Sequence, residues 1–419
     1  MYEKLDSNNL KTAHPLLTLL FCGYLFYSFF EIYLNPIIGD SGKYLIFLII
    51  LLFFISYRSI NIEIKWYHFL VLLWLLLKVA SIYWASFNYI VQLHFLSQMG
   101  MVALFIIMTF VDFDEKFTTA IVNTLFFSSG LTGILCLFFS SPYLGIFDAR
   151  QVLTLMGSQT DPNNQSAYLL VGIAIGLYWI FDGKGSSLFR MILLGSIAVN
   201  IYAIFLTGSR GGLLSAALIA VCAALLVDKG GHLISLNTVR NALAVGLSGF
   251  GVYCAVKFFL PADILARLFD LSDYAGGSGR VELWGNALEL FKDNPLIGGG
   301  WGSYWGYNGY YEVVHNTFIS VLADSGLIGF ALLFIPLVYL AVKSLEQRFA
   351  LSFLILIAGL APAFFLDAIN KRFFWNAIII AFVLINGHQR QAQEIQEVQE
   401  IQGDGDERGI AAVKEYGKR

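Results

Sequence analysis

Tyr44-Leu45-Ile46-Phe47-Leu48-Ile49-Ile50-Leu51-Leu52-Phe53-Phe54-Ile55 is an apolar run with no charge and no proline. One such run is compatible with a buried core element, but here similar runs recur along the whole chain. Of 419 residues, 58% are hydrophobic, 16% aromatic and 13% charged, and the mean hydropathy is +0.70. A soluble domain carries about 25% charged and about 45–50% apolar residues. No single soluble core accommodates this excess, so composition points to an integral membrane protein with many spans.

A helical span needs roughly 20 apolar residues. By that rule spans fall near 14–34, 42–57, 66–86, 96–112, 119–141, 165–181, 190–208, 211–227, 241–260, 315–342, 349–367 and 372–387. The even count puts both termini on one side. With the N-terminus inside, nine lysines and arginines fall in the inner short loops, among them Arg58, Lys184 and Lys229. Only Lys43, Arg150, Arg210, Lys371 and Arg372 fall in the outer ones, as the positive-inside rule requires. The expected fold is therefore an all-α membrane domain over 1–387, with about twelve transmembrane helices and one large extracytoplasmic loop at 261–314. Within that loop Val281, Trp284, Leu288 and Phe291 recur at helical spacing ahead of Asn294-Pro295. This predicts a short amphipathic helix on the outer membrane boundary. The polar segment 388–419 is expected to be a disordered cytoplasmic tail, apart from a short helix near Glu394–Val398.

Several classes are disfavoured. A net charge of −3 leaves no electrostatic footprint for nucleic acid. Cys22, Cys136, Cys222 and Cys254 lie far apart in apolar stretches, with neither zinc nor disulfide spacing. The polar start Met1–His14 meets its apolar run without a small-residue cleavage site, so no cleavable signal is expected. The outer carboxylates (Asp148, Asp161, Asp263, Asp270, Asp273, Glu282) are scattered, so neither a metal nor another cofactor is expected.

Four groups of residues carry possible chemistry. Thr207-Gly208-Ser209-Arg210-Gly211-Gly212 lies at the outer junction of spans seven and eight. Its arginine must face protein, water or an anion, and its glycines admit a ligand or a helix close to the backbone. The hexapeptide reads equally as a tight turn with a snorkelling arginine. Arg280 opens the loop helix after Gly276-Gly277-Ser278-Gly279. Helix N-termini attract phosphate and guanidinium adds bidentate contacts, although a solvated surface arginine is the simpler reading. No Gly-Lys-Ser/Thr follows those glycines, so they are no P-loop. His315, in His315-Asn316-Thr317-Phe318, opens span ten and can exchange a proton near neutral pH; a structural interfacial histidine is the alternative. Asp324 follows ~13 Å deeper by helical rise, with Lys78 of span three as a candidate partner. Trp301, Tyr304, Trp305, Tyr307, Tyr310 and Tyr311 offer a stacking platform for sugars or an interfacial aromatic belt. Together the set suits an anionic, diphosphate-bearing lipid substrate and an acceptor hydroxyl.

At these residues the chain resembles the O-antigen ligase and polymerase superfamily of bacterial envelope glycan enzymes. Arg150, Gly157 and Asp161-Pro162-Asn163 are similar to the family's first outer loop, and Thr207–Gly212 to its Ser-Arg-Gly-Gly turn. Arg280, Trp284, Pro295 and Gly298-Gly299-Gly300 are similar to the opening of its large loop. His315-Asn316, nine residues and then Gly326-Leu327-Ile328-Gly329 follow the ligase pattern, the most specific of the four. The resemblance covers about 145–345 by motif. It implies a metal-independent, inverting glycosyltransferase in the bacterial inner membrane with its active site on the outer face. The donor it implies is a glycan on polyprenyl diphosphate, and the acceptor is lipid A core for a ligase or a growing glycan for a polymerase. In this scheme His315 is the general base, while Arg210 and Arg280 hold the diphosphate. Arg150, Asn163, Ser209 and Asn316 join the substrate site, and Trp301, Tyr304 and Trp305 guide sugars. Besides the glycans, the expected partners are membrane lipids and no nucleic acid. The competing class is a transporter using Glu31, Lys78 and Asp324 at membrane depth. The lack of an internal repeat and the one-sided gathering of polar residues weigh against it.

Overall fold

The computed structural model describes residues 13–56, 63–87, 89–144, 150–183, 185–227, 236–269, 280–309 and 311–416. Arg58, Lys184, Lys229, Asp148, Asp270, Asp273, Gly276–Gly279 and Tyr310 lie outside them.

The described chain is mainly helical. In order, the helices are α1 (Pro15–Ile38), α2 (Ser41–Ser56), α3 (Trp66–Ala80), α4 (Tyr89–Thr109), α5 (Glu115–Phe139), α6 (Pro162–Asp182) and α7 (Ser187–Leu206). There follow α8 (Arg210–Leu226), α9 (Leu236–Phe259), α10 (Ala262–Phe269), α11 (Arg280–Asp293), α12 (Thr317–Glu346), α13 (Ala350–Leu360) and α14 (Arg372–Tyr416). A small antiparallel sheet, β1 (Ser140–Pro142), β2 (Gln151–Leu155) and β3 (Ser158–Gln159), joins α5 to α6.

Every segment read as a span contains a helix. Among the described residues, seven helices are long and apolar enough to cross a membrane: α1, α3 with its 3-10 extension to Tyr83, α4, α5, α6, α7 and α12. The difference from the expected twelve lies largely in short helices, since Ser41–Ser56, Arg210–Leu226 and Ala350–Phe364 are apolar but have only 10–17 residues. Helix α4 starts at Tyr89 rather than near 96, and within it the buried Gln98 donates to the Ile369 carbonyl at 3.2 Å.

Small residues set the packing of α5, α6 and α7. A Cβ on Gly172 would lie 2.3 Å from Ser129 Oγ, and one on Gly133 would lie 2.3 Å from Asn200 Oδ1. The helices therefore approach closely, and Asn200 Nδ2 donates to Ser129 Oγ at 3.0 Å between them.

Two expectations change here. The segment after Gly387 is helical as far as Tyr416, where the sequence reading expected a short helix near Glu394–Val398 in an otherwise disordered tail. It contains no proline and is rich in Gln and Glu, so it extends a helix already nucleated in the core despite Gly403, Gly405 and Gly409. Helix α11 forms as expected, but its buried residues are Leu283, Ala287 and Leu290, while Val281 is exposed. The helix turns that face toward Tyr304, Val314 and Ala323, so its orientation follows the packing against α12.

Helix α12 is broken at Gly326, where φ is 63° and ψ is −166°. The segment Pro295–Gly300 runs through this break. Gly299 and Gly300 donate to the carbonyls of Ala323 and Asp324 at 2.8 and 3.0 Å. On the far side, Leu327 and Ile328 donate to Pro295 and Leu296 at 2.9 and 3.0 Å. The freed carbonyls and amides of the broken helix thus find partners in the loop, which is how irregular backbone persists inside such a protein.

Candidate active site

Three of the singled-out motifs begin helices. Asp161 caps α6, accepting from the amides of Asn163 and Asn164 at 2.9 and 3.0 Å. Ser209 caps α8, its Oγ accepting from Gly212 at 3.1 Å. Asn316 caps α12, accepting from Phe318 and Ile319 at 3.0 and 3.1 Å. These short polar side chains satisfy first-turn amides that the helix itself leaves without partners. Helix α11 begins at Arg280 itself.

The structure brings these helix starts together. Ser209 Oγ donates to Asn163 Oδ1 at 2.9 Å, joining α8 to α6. The loop ahead of α8 passes Gly208 at φ 58°. A Cβ there would lie 3.1 Å from both Arg150 Cγ and Arg267 Cδ, so both arginine stems lie against this turn. Arg210 donates to the Arg267 carbonyl. His315, at φ 54°, immediately precedes the Asn316 cap. Burial and then the nearby Arg280 charge hold the His315 imidazole below its usual pKa, opposed by Asp161, Asp367 and Glu312. Those influences place α6, α11 and α12 in one electrostatic neighbourhood. Each helix start carries partial positive charge, so the arginines and the four N-termini act in the same direction on an anion.

Beside Asn316 an apolar groove of about 350 Å³ is lined by Leu214, Leu218, Trp284, Phe364 and Phe365, with Ser215. Trp284 holds the groove against the site, its Nε1 donating to the Val314 carbonyl at 3.0 Å.

Residues 195–334 match the family model described as O-antigen ligase. The matched segment, about a third of the chain, is similar to that family. It contains the Thr207–Gly212 turn, Arg280 and the run from His315 to Gly329, whereas Arg150 and Asp161–Asn163 precede it. A curated relative, the exopolysaccharide production protein ExoQ of Rhizobium meliloti (strain 1021), is 30% identical over 115 residues. That alignment covers 24% of this chain and 26% of the relative, so the chain spans about a quarter of the length of the protein it matches.

The aromatic residues near the site divide. Trp301 is fully buried and stacks on Phe95 at 6.0 Å. Its amide donates to Ser81 Oγ at 2.9 Å, and Lys78 Nζ lies 4.7 Å from its ring centroid. It is a core residue, which corrects its expected part in guiding sugars. Tyr304 is also buried, its hydroxyl donating to Asp367 Oδ2 at 2.7 Å; burial and Asp367 push its pKa well up. Trp305 stays partly exposed, stacked on Tyr89 at 5.2 Å, and remains open to a sugar face. Trp301→Ala is expected to destabilise the protein by roughly 3–5 kcal/mol. Trp305→Ala should lower the unfolding temperature less than Trp301→Ala does and raise KM; thermal unfolding in detergent beside transfer kinetics separates the two.

The deep charges find partners within the protein. Arg372 pairs bidentately with Glu31 at 2.5 and 2.6 Å. Lys78 lies over the Trp74 and Trp301 rings. Asp324 Oδ1 accepts from the Gly302 amide at 2.9 Å, anchoring the loop that threads α12. These charges hold structure, which weakens the transporter reading. Sequence reasoning missed Asp367, which accepts from Tyr304 and also from Ser320 Oγ at 3.2 Å. It missed Arg267 too. Neither lies in a motif, and only the folded chain brings them near His315 and Gly208.

Proposed function

We propose that the chain is a membrane glycosyltransferase of the ligase type, moving a glycan from polyprenyl diphosphate to an acceptor sugar hydroxyl on the outer face of the inner membrane. The observation that carries this reading is the convergence of four helix N-termini with Arg150, Arg210 and Arg280 beside a desolvated histidine. An anion-binding field next to a neutral base suits a reaction whose leaving group is a diphosphate and whose nucleophile must lose a proton. Arg210 and Arg280 bind the diphosphate and stabilise the charge that develops as the anomeric C–O bond breaks. His315 takes the proton from the acceptor hydroxyl as its oxygen bonds to the anomeric carbon from the opposite face, with inversion. Arg150, Asn163, Ser209 and Asn316 frame the donor. The apolar groove beside Asn316 accommodates the first isoprene units, and Trp305 offers a face to the glycan. In this reading both termini are cytoplasmic, these groups face the outer leaflet, and the residues supply the chemistry without a metal.

The polymerase reading uses the same residues with a second lipid-linked glycan as acceptor. It is favoured by the ExoQ relative, whose name concerns exopolysaccharide production. The test incubates purified protein with polyprenyl-diphosphate glycan and EDTA, with and without lipid A core. A single shifted product that requires lipid A core identifies a ligase, and a ladder without it identifies a polymerase. No product from either acceptor, with a donor turned over by a known ligase in parallel, overturns both readings.

The pH dependence follows from His315. Its pKa lies below 6.5 in the folded protein, and the base works in its neutral form. Transfer is therefore expected to be at full rate at neutral pH and to fall only as pH drops through that lowered value. In Arg280→Gln, losing the neighbouring positive charge should move the acid limb of kcat/KM upward toward 6.5, on top of a lower overall rate. A profile whose acid limb lies above 6.5 in the unaltered protein would remove His315 from the base role.

A further inference from the structure

A second cavity lies at the other end of the helices, away from the transfer site. It measures about 250 Å³ and is bounded by the start of α5, the end of α6, the start of α13 and α14 near Gly387. Helix α5 has Glu115 at this cavity and ends at Phe139, beside the sheet next to Arg150. Its 25 residues span roughly 37 Å by helical rise, so the cavity belongs to the opposite face of the molecule.

Its chemistry is distinct from that of the arginine site. Phe349 and His388 stack with centroids 4.5 Å apart at 8°, Trp179 adds another aromatic wall, and Thr118 and Asn123 add hydroxyl and amide groups. Among the described residues lining it, Glu115 is the one formally charged side chain. A carboxylate beside aromatic faces attracts an ammonium group through both charge and ring quadrupole, and disfavours a purely anionic ligand. Val122, Leu351 and Leu384 add apolar surface beside these polar groups, a mixed lining of the kind a lipid headgroup and its first methylenes require. The volume exceeds what an ion needs and is too small for a whole lipid.

We propose that this cavity binds the headgroup of an aminophospholipid, with the ammonium against Glu115 and the aromatic rings. Thr118, Asn123 and His388 hydrogen-bond the glycerophosphate, and the acyl chains leave along the apolar helix surfaces. The proposal is independent of the transfer reading, and its test reads binding alone.

Full-length protein is placed in phosphatidylglycerol nanodiscs containing a minor fraction of brominated phosphatidylethanolamine or brominated phosphatidylglycerol. Bromine quenches nearby tryptophan, and subtracting the Trp179→Phe signal isolates Trp179. Quenching of Trp179 by the ethanolamine lipid is expected to exceed that by the glycerol lipid by about fivefold, the upper end for a partly exposed charge pair. Glu115→Gln should erase the preference without moving the unfolding temperature. Equal quenching by the two lipids overturns the proposal, as does a preference that survives Glu115→Gln. Relief of quenching by free ethanolamine at low concentration overturns it as well, because the occupant is then a soluble amine.

Discussion

His315→Gly is expected to lower glycan transfer by roughly 10²–10⁴-fold, the usual share of a positioned general base, while expression and membrane insertion stay intact. Glycine is the informative replacement because His315 adopts φ 54°, a conformation that costs glycine nothing. His315→Asn is a second such variant, since asparagine also tolerates that region. The proposed role depends on a neutral imidazole beside a diphosphate site, so adding imidazole to the glycine variant should restore part of the rate. A histidine that merely shaped the turn ahead of α12 would show no such rescue. Near-normal transfer in both variants would require another base.

Gly326→Ala should instead remove the fold, with a loss of more than ~4 kcal/mol and little protein recovered from the membrane. At φ 63° and ψ −166° the residue occupies a region essentially reserved for glycine. A Cβ there would also lie 2.4 Å from the Leu296 carbonyl carbon, and a Cβ on the facing Gly298 would likewise lie 2.3 Å from the Asp324 carbonyl carbon. Neither clash can be relieved by rotating a side chain, because two backbones meet. Gly285→Ala is the control. It lies within α11 with nothing within 4 Å of its Cβ, so it should be neutral or stabilising by up to ~1 kcal/mol. Membrane yield and thermal unfolding in detergent distinguish the two; a Gly326→Ala protein as stable as the control would contradict the threaded break.

These two expectations divide the most specific sequence element. His315-Asn316 and Gly326-Leu327-Ile328-Gly329 read as one pattern, yet the first half stands at the site and the second lets a loop pass through a helix. Glycine in a sequence signals permissive backbone, but a ligand, a turn and another backbone all require that permission. Likewise, an aromatic stretch does not reveal which ring will be covered. Trp301 is buried against Ile90 and Val91, and Trp305 stays partly open.

The membrane helices and their approximate positions follow from the sequence alone, because each apolar run needs only its own length and hydropathy to be recognised. The capping residues Asp161, Ser209 and Asn316 are legible for the same reason, since they act on the helix that follows them. The tertiary structure decided which of these helix starts meet, how α11 faces α12, and which partners Glu31, Lys78 and Asp324 take up. It also brought Asp367 and Arg267 to the site from outside every motif. Those outcomes depend on residues tens to hundreds of positions apart, and a chain read in order carries no local signal for contacts that only packing creates.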